Sequence, residues 1–548
     1  MTGRLLVTST LTELLERRAE LTPDAPLLMD EHGAALSCRE VRDRVRRVAA
    51  ALAAEGIGAG THVAWQLPTR ISTVLVMLAL RRLGAVQAPI IPLYREREVA
   101  AAVATSEAEV LLVPGTWRDV DYVAMAERLE LGDRTAPRAV VIGPEAPERA
   151  GDMPPVLVDA GEHLWTYFTS GSSGVPKGAR HTDRSLLTTG LGFAGQGRLG
   201  EVPGEVGAMA FPIAHIGGVQ YLIAALAGGY PLLLLEAFVP DQAVELFRLH
   251  RVTTTGGAPP FYTALVAMAR AAPGDGRLLP DLRTLKGGGA PCPPELQRAV
   301  RDELGAVLAH DYGMTEVPMV AVADPSDPDD VLADTDGRVL PSHRLRIVDA
   351  DGEAVAPGEP GGVQVAGPGV CLGYTDPAET AAAFTEDGWF RTGDVARLLP
   401  SGHIEVVGRT KDMIIRKGEN IAPQEIELLL ARHPAVAEAA VVGLPDAERG
   451  ELVCAVVVPV PGAGPLAIQE LTAWLLGAGL MRQKLPERLE TVDALPRTGL
   501  AKVAKAELRR RFAQLRQRQK ATLDGRTEAH GANSRARETL YLDLTLSS

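Results

Sequence analysis

The sequence predicts an α/β protein of more than one domain, and three observations predict it. With 548 residues, 46% of them hydrophobic, the chain is too long for a single ordinary core. Apolar runs of strand length alternate with runs of helical period through most of its first 316 residues. After about residue 337 the texture changes to short strands and glycine-rich turns, and a smaller α+β unit follows Gly408.

Taken in order, Val41, Val45, Val48 and Leu52 recur at helical spacing, the helix stops before Gly56, and the strand HVAWQL begins at His62. ISTVLVMLALRRLG reads as a helix ending at Gly84, AVQAPIIP as a strand, REREVAAAVATSEA as a helix and EVLLVP as a strand, giving βαβ units. From residue 206 the rhythm returns. Helical DQAVELFRLH, FYTALVAMAR and PPELQRAV separate the strands PLLLLEA, LRTLKGG and AVLAHDY, which implies a mostly parallel sheet. RLRIVDADGEAVAPGEPGGVQVAG reads as antiparallel β structure. The small unit carries a helix in PQEIELLLARH, strands in AEAAVVGLP and ELVCAVVVP, a helix near Gln469–Leu476, and a final strand and basic helix to about Lys520. The expected domains are 1–408 and 409–520, with an unstructured polar tail at 521–548.

Composition narrows the function. A formal charge of −13 repels phosphate backbones and anionic membrane surfaces, so no nucleic-acid partner is expected. The cluster Arg509, Arg510, Arg511, Arg516, Arg518 and Lys520 is read as a solvated helix face. Cys38, Cys292, Cys371 and Cys454 have no paired spacing, which argues against disulfides or a zinc site and for a reducing cytoplasm. Val206–Leu235 is apolar and long enough to mimic a membrane span of roughly 20 residues. Pro212, Gly217–Gly218, Gly228–Gly229 and Pro231 punctuate it, so it reads as strand, loop, helix, turn and strand.

The richest motif is YFTSGSSGVPKG, Tyr167–Gly178. Its glycines let backbone N–H groups approach phosphate oxygens, its hydroxyls add donors, and Lys177 is a cation for terminal phosphates. It matches neither G-x-x-x-x-G-K-[ST] nor the nucleophile elbow G-x-S-x-G. GLGFAG at 190–195 satisfies G-x-G-x-x-G, the mark of a distant alternative, an NAD(P)-dependent oxidoreductase. No clear buried strand precedes it, and no acidic partner follows at the expected distance.

YFTSGSSGVPKG closely resembles the phosphate-binding signature of the acyl-adenylate-forming (AMP-binding) superfamily. Further segments resembling that family follow in order: FPIAHIGG around His215, GGGAP at Gly287–Pro291, DYGMTE at Asp311–Glu316, WFRTGD ending at Asp394, GRTKDMIIRKGENI from Gly408, and LPRTGLAKV containing Lys502. Together they cover roughly residues 10–515. The resemblance implies a large N-terminal domain with a mobile C-terminal one, and ATP-dependent conversion of a carboxylic acid to an acyl-adenylate with release of pyrophosphate. Transfer of the acyl group to coenzyme A then releases AMP. The acid is expected to be fatty, alicyclic or aryl. A carrier-protein phosphopantetheine is the alternative acceptor, and monomer and homodimer stay equally open.

The resemblance also implies site residues. Thr169, Ser170, Gly171, Ser172, Ser173, Gly174 and Lys177 would hold phosphates. Gly288, Gly289, Ala290 and Pro291 would form the adenine wall, and Asp311, Tyr312, Gly313, Met314 and Thr315 would grip the nucleotide. Asp394 and Arg409 would contact the ribose, and Glu316 would help hold Mg2+. His215 would gate an acid pocket and Lys502 would be the catalytic cation; Gly217 and Gly218 leave volume there that a bulky apolar acyl group or ring could fill, with helix packing the equal alternative. Lys411 marks the expected hinge, with Lys417, Gly418 and Glu419 at the edge of a pantetheine channel. Ala501 departs from the family pattern, which usually has glycine before the lysine.

Overall fold

A computed structural model of the chain describes residues 5–151, 159–169, 176–272, 276–416, 419–446, 449–497 and 503–513. It divides into two compact units, Met1–Val406 and Val407–Ser548.

The larger unit holds two sheets that share one core. In the six-stranded sheet the order is Lys177–His181, Trp165–Thr169, Val86–Pro89, His62–Trp65, Val110–Val113 and Arg138–Val141. Only the first pair, a hairpin, is antiparallel. The helix Ile71–Leu83 is buried along its whole length, which explains why its sequence shows no polar face, and Gly84 ends it in the left-handed conformation at φ 70°. Cys38–Ala54 starts on a capping box between Ser37 and Glu40.

The seven-stranded sheet runs Val307–Asp311, Thr284–Gly288, Thr254–Gly256, Gly207–Met209, Leu232–Leu234, Pro26–Asp30 and Ala35–Ser37. It is parallel except for its last strand. The mostly parallel sheet is therefore as the sequence implied, but the elements expected from the sequence start only at Val41. They omit the helix Leu11–Leu21 and the strand Pro26–Asp30, whose Leu28 pairs with Leu232 in the far half of the unit. Leu14, Val45, Leu75, Phe193 and Leu222 are buried in the core that joins the two halves.

One buried carboxylate locks these pieces together. Asp183, at the first turn of the helix Asp183–Gln196, accepts from Arg81 Nε at 2.7 Å, from Leu11 N at 2.9 Å and from Trp165 Nε1 at 3.1 Å. This fixes the base of the hairpin formed by Trp165–Thr169 and Lys177–His181.

Two ambiguous sequence features resolve clearly. Val206–Leu235 contains the strand Gly207–Met209, the helix Ile216–Gly228 and the strand Leu232–Leu234, and no described helix is long and apolar enough to cross a membrane. GLGFAG lies inside the helix Asp183–Gln196, where a Cβ on Gly190 would come within 2.6 Å of Ile223 and one on Gly192 within 2.7 Å of Leu340. These glycines permit close packing and do not form a dinucleotide turn. Gly190→Ala is expected to cost roughly 1–3 kcal/mol through overpacking, seen as a lower thermal midpoint.

A third, four-stranded sheet has the order Arg344–Val348, Gly361–Ala366, Phe390–Leu398 and Ile404–Arg409, antiparallel where its first three strands pair. Its core includes Val317, Ile347, Val365, Phe390 and Ile404.

In the smaller unit a long hairpin, Val436–Asp446 with Gly450–Pro459, carries apolar clusters on both faces. The helices Pro423–Leu430 and Ile468–Gly477 cover one face. Leu508 and Phe512 of the basic segment pack on the other, while Arg510 and Arg511 are exposed and Arg509 pairs with Asp412 at 2.8 Å. The described part of this helix is amphipathic and solvated at Arg510 and Arg511, and Arg516, Arg518 and Lys520 lie outside the described residues. All four cysteines are free thiols, three of them buried.

Candidate active site

The hairpin register pairs Thr169 with Lys177, at the two ends of the glycine- and serine-rich segment. Ser170, Gly171, Ser172, Ser173 and Gly174 lie outside the described residues. At the end of that segment Lys177 forms an ion pair with Glu379, and its ammonium stands 5.3 Å from the centroid of the Tyr374 ring. The Tyr374 hydroxyl donates to Glu316 Oε1 at 2.6 Å. Burial first, and then the Glu316 charge, push the Tyr374 phenol far up, so it remains a donor.

His181, on the same hairpin, is fully buried. Its Nε2 lies 2.8 Å from the carbonyl oxygen of Thr315 and its Nδ1 3.0 Å from Ser185 Oγ. Burial lowers its pKa to about 4, so the ring is neutral, donates to Thr315 and accepts from Ser185. The hairpin is thereby tied to the segment Asp311–Glu316. His181, Tyr374 and Glu379 were all missed by the sequence reading. Each acts through a partner distant in the chain, and no local spacing signals it.

Segment 311–316 is a tight reversal. Met314 N donates to the Val317 carbonyl at 3.0 Å, and a Cβ on Gly313 would fall 2.0 Å from the Pro318 oxygen. The turn presents Thr315 and Glu316 in succession. Tyr312 donates its hydroxyl to Asp394 Oδ2 at 2.7 Å, which holds that buried carboxylate beside the same segment. Asp311 behaves differently from its motif neighbours. Its carboxylate is buried, 3.2 Å from Lys286 Nζ and accepting from Ala323 N at 2.9 Å, so it braces the sheet and only its backbone faces the glycine wall. Burial raises its pKa, against the opposing pull of Lys286.

The wall segment follows the strand Thr284–Gly288, at the carboxyl end of a parallel sheet where ligands are commonly received. Gly288 pairs with Asp311, and a Cβ there would sit 1.8 Å from the Asp311 oxygen. Gly289 has φ 84° and open space beside it. The Ala290 carbonyl is 3.0 Å from His310 Nε2, and Pro291 is exposed.

His215 caps the helix Ile216–Gly228, its Nδ1 accepting from Gly217 N at 3.1 Å. The two glycines after it divide in role. A Cβ on Gly218 would lie 2.5 Å from the Ile213 carbonyl oxygen, so helix packing demands that glycine. One on Gly217 would meet only His215 Nδ1 at 3.1 Å and Phe211 at 3.7 Å. The aromatic ladder Phe211–Tyr221–Phe193, with centroids 5.2 and 5.1 Å apart, backs this corner.

In the smaller unit Arg409 ends the strand Ile404–Arg409 and Lys411 lies in the short turn of helix Thr410–Asp412, both exposed. Glu419 begins the strand Glu419–Ile421. Lys417, Gly418, Ala501 and Lys502 lie outside the described residues.

Comparison with known proteins gives the family. The family model described as AMP-binding enzyme matches residues 15–375, and that of the AMP-binding enzyme C-terminal domain matches 425–502. A feruloyl-CoA synthase of Amycolatopsis sp is 36% identical, with 90% of this chain and 98% of that protein aligned. The medium-chain fatty-acid–CoA ligase of Escherichia coli is 30% identical over 92% of this chain and 90% of its own. Among solved structures, ATP-bound MatB from Rhodopseudomonas palustris superposes with a TM-score of 0.82 at 28% identity, covering 92% of this chain and 99% of that one. The chain belongs to the AMP-binding enzyme family, and within it to the AMP-forming acid–thiol ligases of the acyl-CoA synthetase type.

Proposed function

We propose that this enzyme joins a carboxylic acid to coenzyme A in two steps at one site. A carboxylate oxygen attacks the α-phosphorus of ATP, the α–β bridging P–O bond breaks, and pyrophosphate leaves. The coenzyme A sulfur then attacks the acyl carbon, the acyl–phosphate C–O bond breaks, and AMP leaves while the thiol proton passes to solvent. The observation that carries this reading is segment 311–316. It borders the glycine wall through Asp311, holds Asp394 through Tyr312, and reaches the phosphate hairpin through Thr315 and through Glu316–Tyr374–Lys177.

In this reading Thr169, Lys177 and the Ser170–Gly174 segment hold the phosphates, with Lys177 exchanging Glu379 for a phosphate oxygen. Gly288–Pro291 cover the adenine, Asp394 and Arg409 hold the ribose, and Thr315 meets the α-phosphate. Glu316, a buried carboxylate whose Oε1 accepts from Tyr374, would be the protein ligand of a Mg2+ that keeps water and phosphate oxygens as its other ligands, and the ion would supply countercharge to the phosphates. His215 and Gly217 border the acid, whereas Gly218 serves helix packing. Lys502 stabilises the charge that develops on adenylate formation. The smaller domain, 409–520 with its hinge at Lys411, then reorients to bring Lys417, Gly418 and Glu419 to the thiol arm. The acid is proposed to be aryl or medium-chain aliphatic, as the names of the similar ligases suggest. The tail 521–548 lies outside the described residues.

A panel of aliphatic, alicyclic and aryl acids decides this, scored for pyrophosphate release and for AMP with and without coenzyme A. At least one acid is expected to give AMP that depends on coenzyme A. Adenylate formation whose acyl group moves only to a phosphopantetheinyl carrier would replace the acceptor. No acid-dependent pyrophosphate release would remove the activity.

A further inference from the structure

His310, on the strand Val307–Asp311, is held between two oxygens. Its Nδ1 is 2.7 Å from Asp336 Oδ1 and its Nε2 is 3.0 Å from the carbonyl oxygen of Ala290. A carboxylate and a carbonyl only accept, and a neutral imidazole has one N–H to give. Both contacts are satisfied together only when both ring nitrogens carry protons. The residue is 6% exposed, so water supplies little of the missing partner. Asp336 continues the connection. Its second oxygen accepts from Val406 N at 2.7 Å, and its own N–H donates to the Ile404 carbonyl at 2.7 Å. A continuous run of hydrogen bonds therefore extends from the GGGAP segment to Val406, the last residue of the larger unit.

We infer that His310 is a positioning residue, carried as an imidazolium, which ties the Ala290 carbonyl to Asp336 and Val406 and so sets the nucleotide wall, loosening it when the proton is lost. The inference rests on reading Gly288–Pro291 as that wall. The groups facing the ring account for its charge. Burial opposes protonation, but the Asp336 hydrogen bond and charge, the Asp311 charge and the Ala290 carbonyl outweigh it, and the pKa is raised. Asp311 is itself paired with Lys286 on the adjacent strand. The Cys292 thiol, pushed up to about 12 by burial and then by Asp336, adds no charge. The sign follows: with a folded-state pKa above the unfolded one, the contribution is complete below the ordinary histidine value of about 6.5 and disappears as pH rises through the raised value.

The full chain is tested by calorimetric ATP binding across pH with Mg2+ in excess, together with NMR of 13C-labelled histidines in which the signal lost in His310→Gln identifies His310. In the wild type that signal should titrate above the ordinary histidine range, with ATP affinity falling over the same interval. Asp336→Asn should move both transitions to lower pH. His310→Gln should remove this component of the pH dependence and raise the ATP KM on the order of 10-fold, the loss of one charge-assisted hydrogen bond, with kcat at saturating ATP within about twofold. A residue that only stabilises the fold would lower the thermal midpoint and leave the pH profile in place. If His310→Gln does not fold, Asp336→Asn decides. A His310 signal that titrates at or below the ordinary histidine value of about 6.5, or identical ATP pH profiles in wild type and Asp336→Asn, overturns the inference. ATP binding that follows the expected profile without turnover of any acid overturns the proposed activity and leaves this tie standing.

Discussion

Lys502→Ala is expected to abolish acid-dependent pyrophosphate exchange while leaving the enzyme able to make thioester from a supplied acyl-adenylate and coenzyme A. The first half-reaction builds negative charge on the attacking and leaving oxygens, and a positioned cation is most valuable there. Removing one such group costs on the order of 10²–10³ in rate. The second half-reaction begins from an adenylate whose carbonyl is already electrophilic and asks nothing of that ammonium. Measuring both halves on the same preparation separates the role from a general loss of folding. A matched fall in the two would remove Lys502 from catalysis. Ala501→Gly, restoring the glycine usual in the family, should leave the second half-reaction unchanged and alter only the first.

The largest stability effect should come from the buried pair Lys286–Asp311. Both side chains are at most 2% exposed, and Lys286 also donates to the Ala323 carbonyl at 2.8 Å. Lys286→Met strands a carboxylate in the sheet and should cost roughly 3–5 kcal/mol, read as a lower thermal midpoint. Adding Asp311→Asn removes the uncompensated charge and keeps an acceptor for Ala323 N, so the double variant should be more stable than Lys286→Met alone. Two independent, additive losses would show that the pair is not coupled. Because Asp311 abuts Gly288 across the sheet, Lys286→Met should also weaken ATP binding at temperatures where the fold is intact.

Much of this was legible in the sequence because its signal is local. Helical period, glycine stops and βαβ alternation marked the strands His62–Trp65, Val86–Pro89 and Val110–Val113 of one sheet and Leu232–Leu234, Thr284–Gly288 and Val307–Asp311 of the other, and the ordered motifs pointed to the family. What stayed hidden depends on partners far apart in the chain. Pro26–Asp30 is a short strand with no helix before it of obvious pattern, and only the far strand Leu232–Leu234 gives it a place. Tyr374 reaches Glu316, and His181 reaches Thr315, across stretches with no spacing rule. Within the DYGMTE motif the sequence treated Asp311 as one of the gripping residues, whereas burial against Lys286 commits its carboxylate to the sheet. Gly217 and Gly218 look alike in sequence and part only when the Ile213 carbonyl is seen against the second.

The strand Pro26–Asp30 also sets a clock on biosynthesis. Its parallel partner at Leu232 emerges roughly 200 residues later, which at 5–20 residues per second is about 10–40 s of translation. During that interval Leu27 and Leu28, both buried in the finished protein, have only the three-residue strand Ala35–Ser37 beside them within the sheet. A nascent chain stalled before Leu232 therefore displays an unpaired apolar strand edge, the kind of surface that holdase chaperones bind and that aggregates when they are scarce.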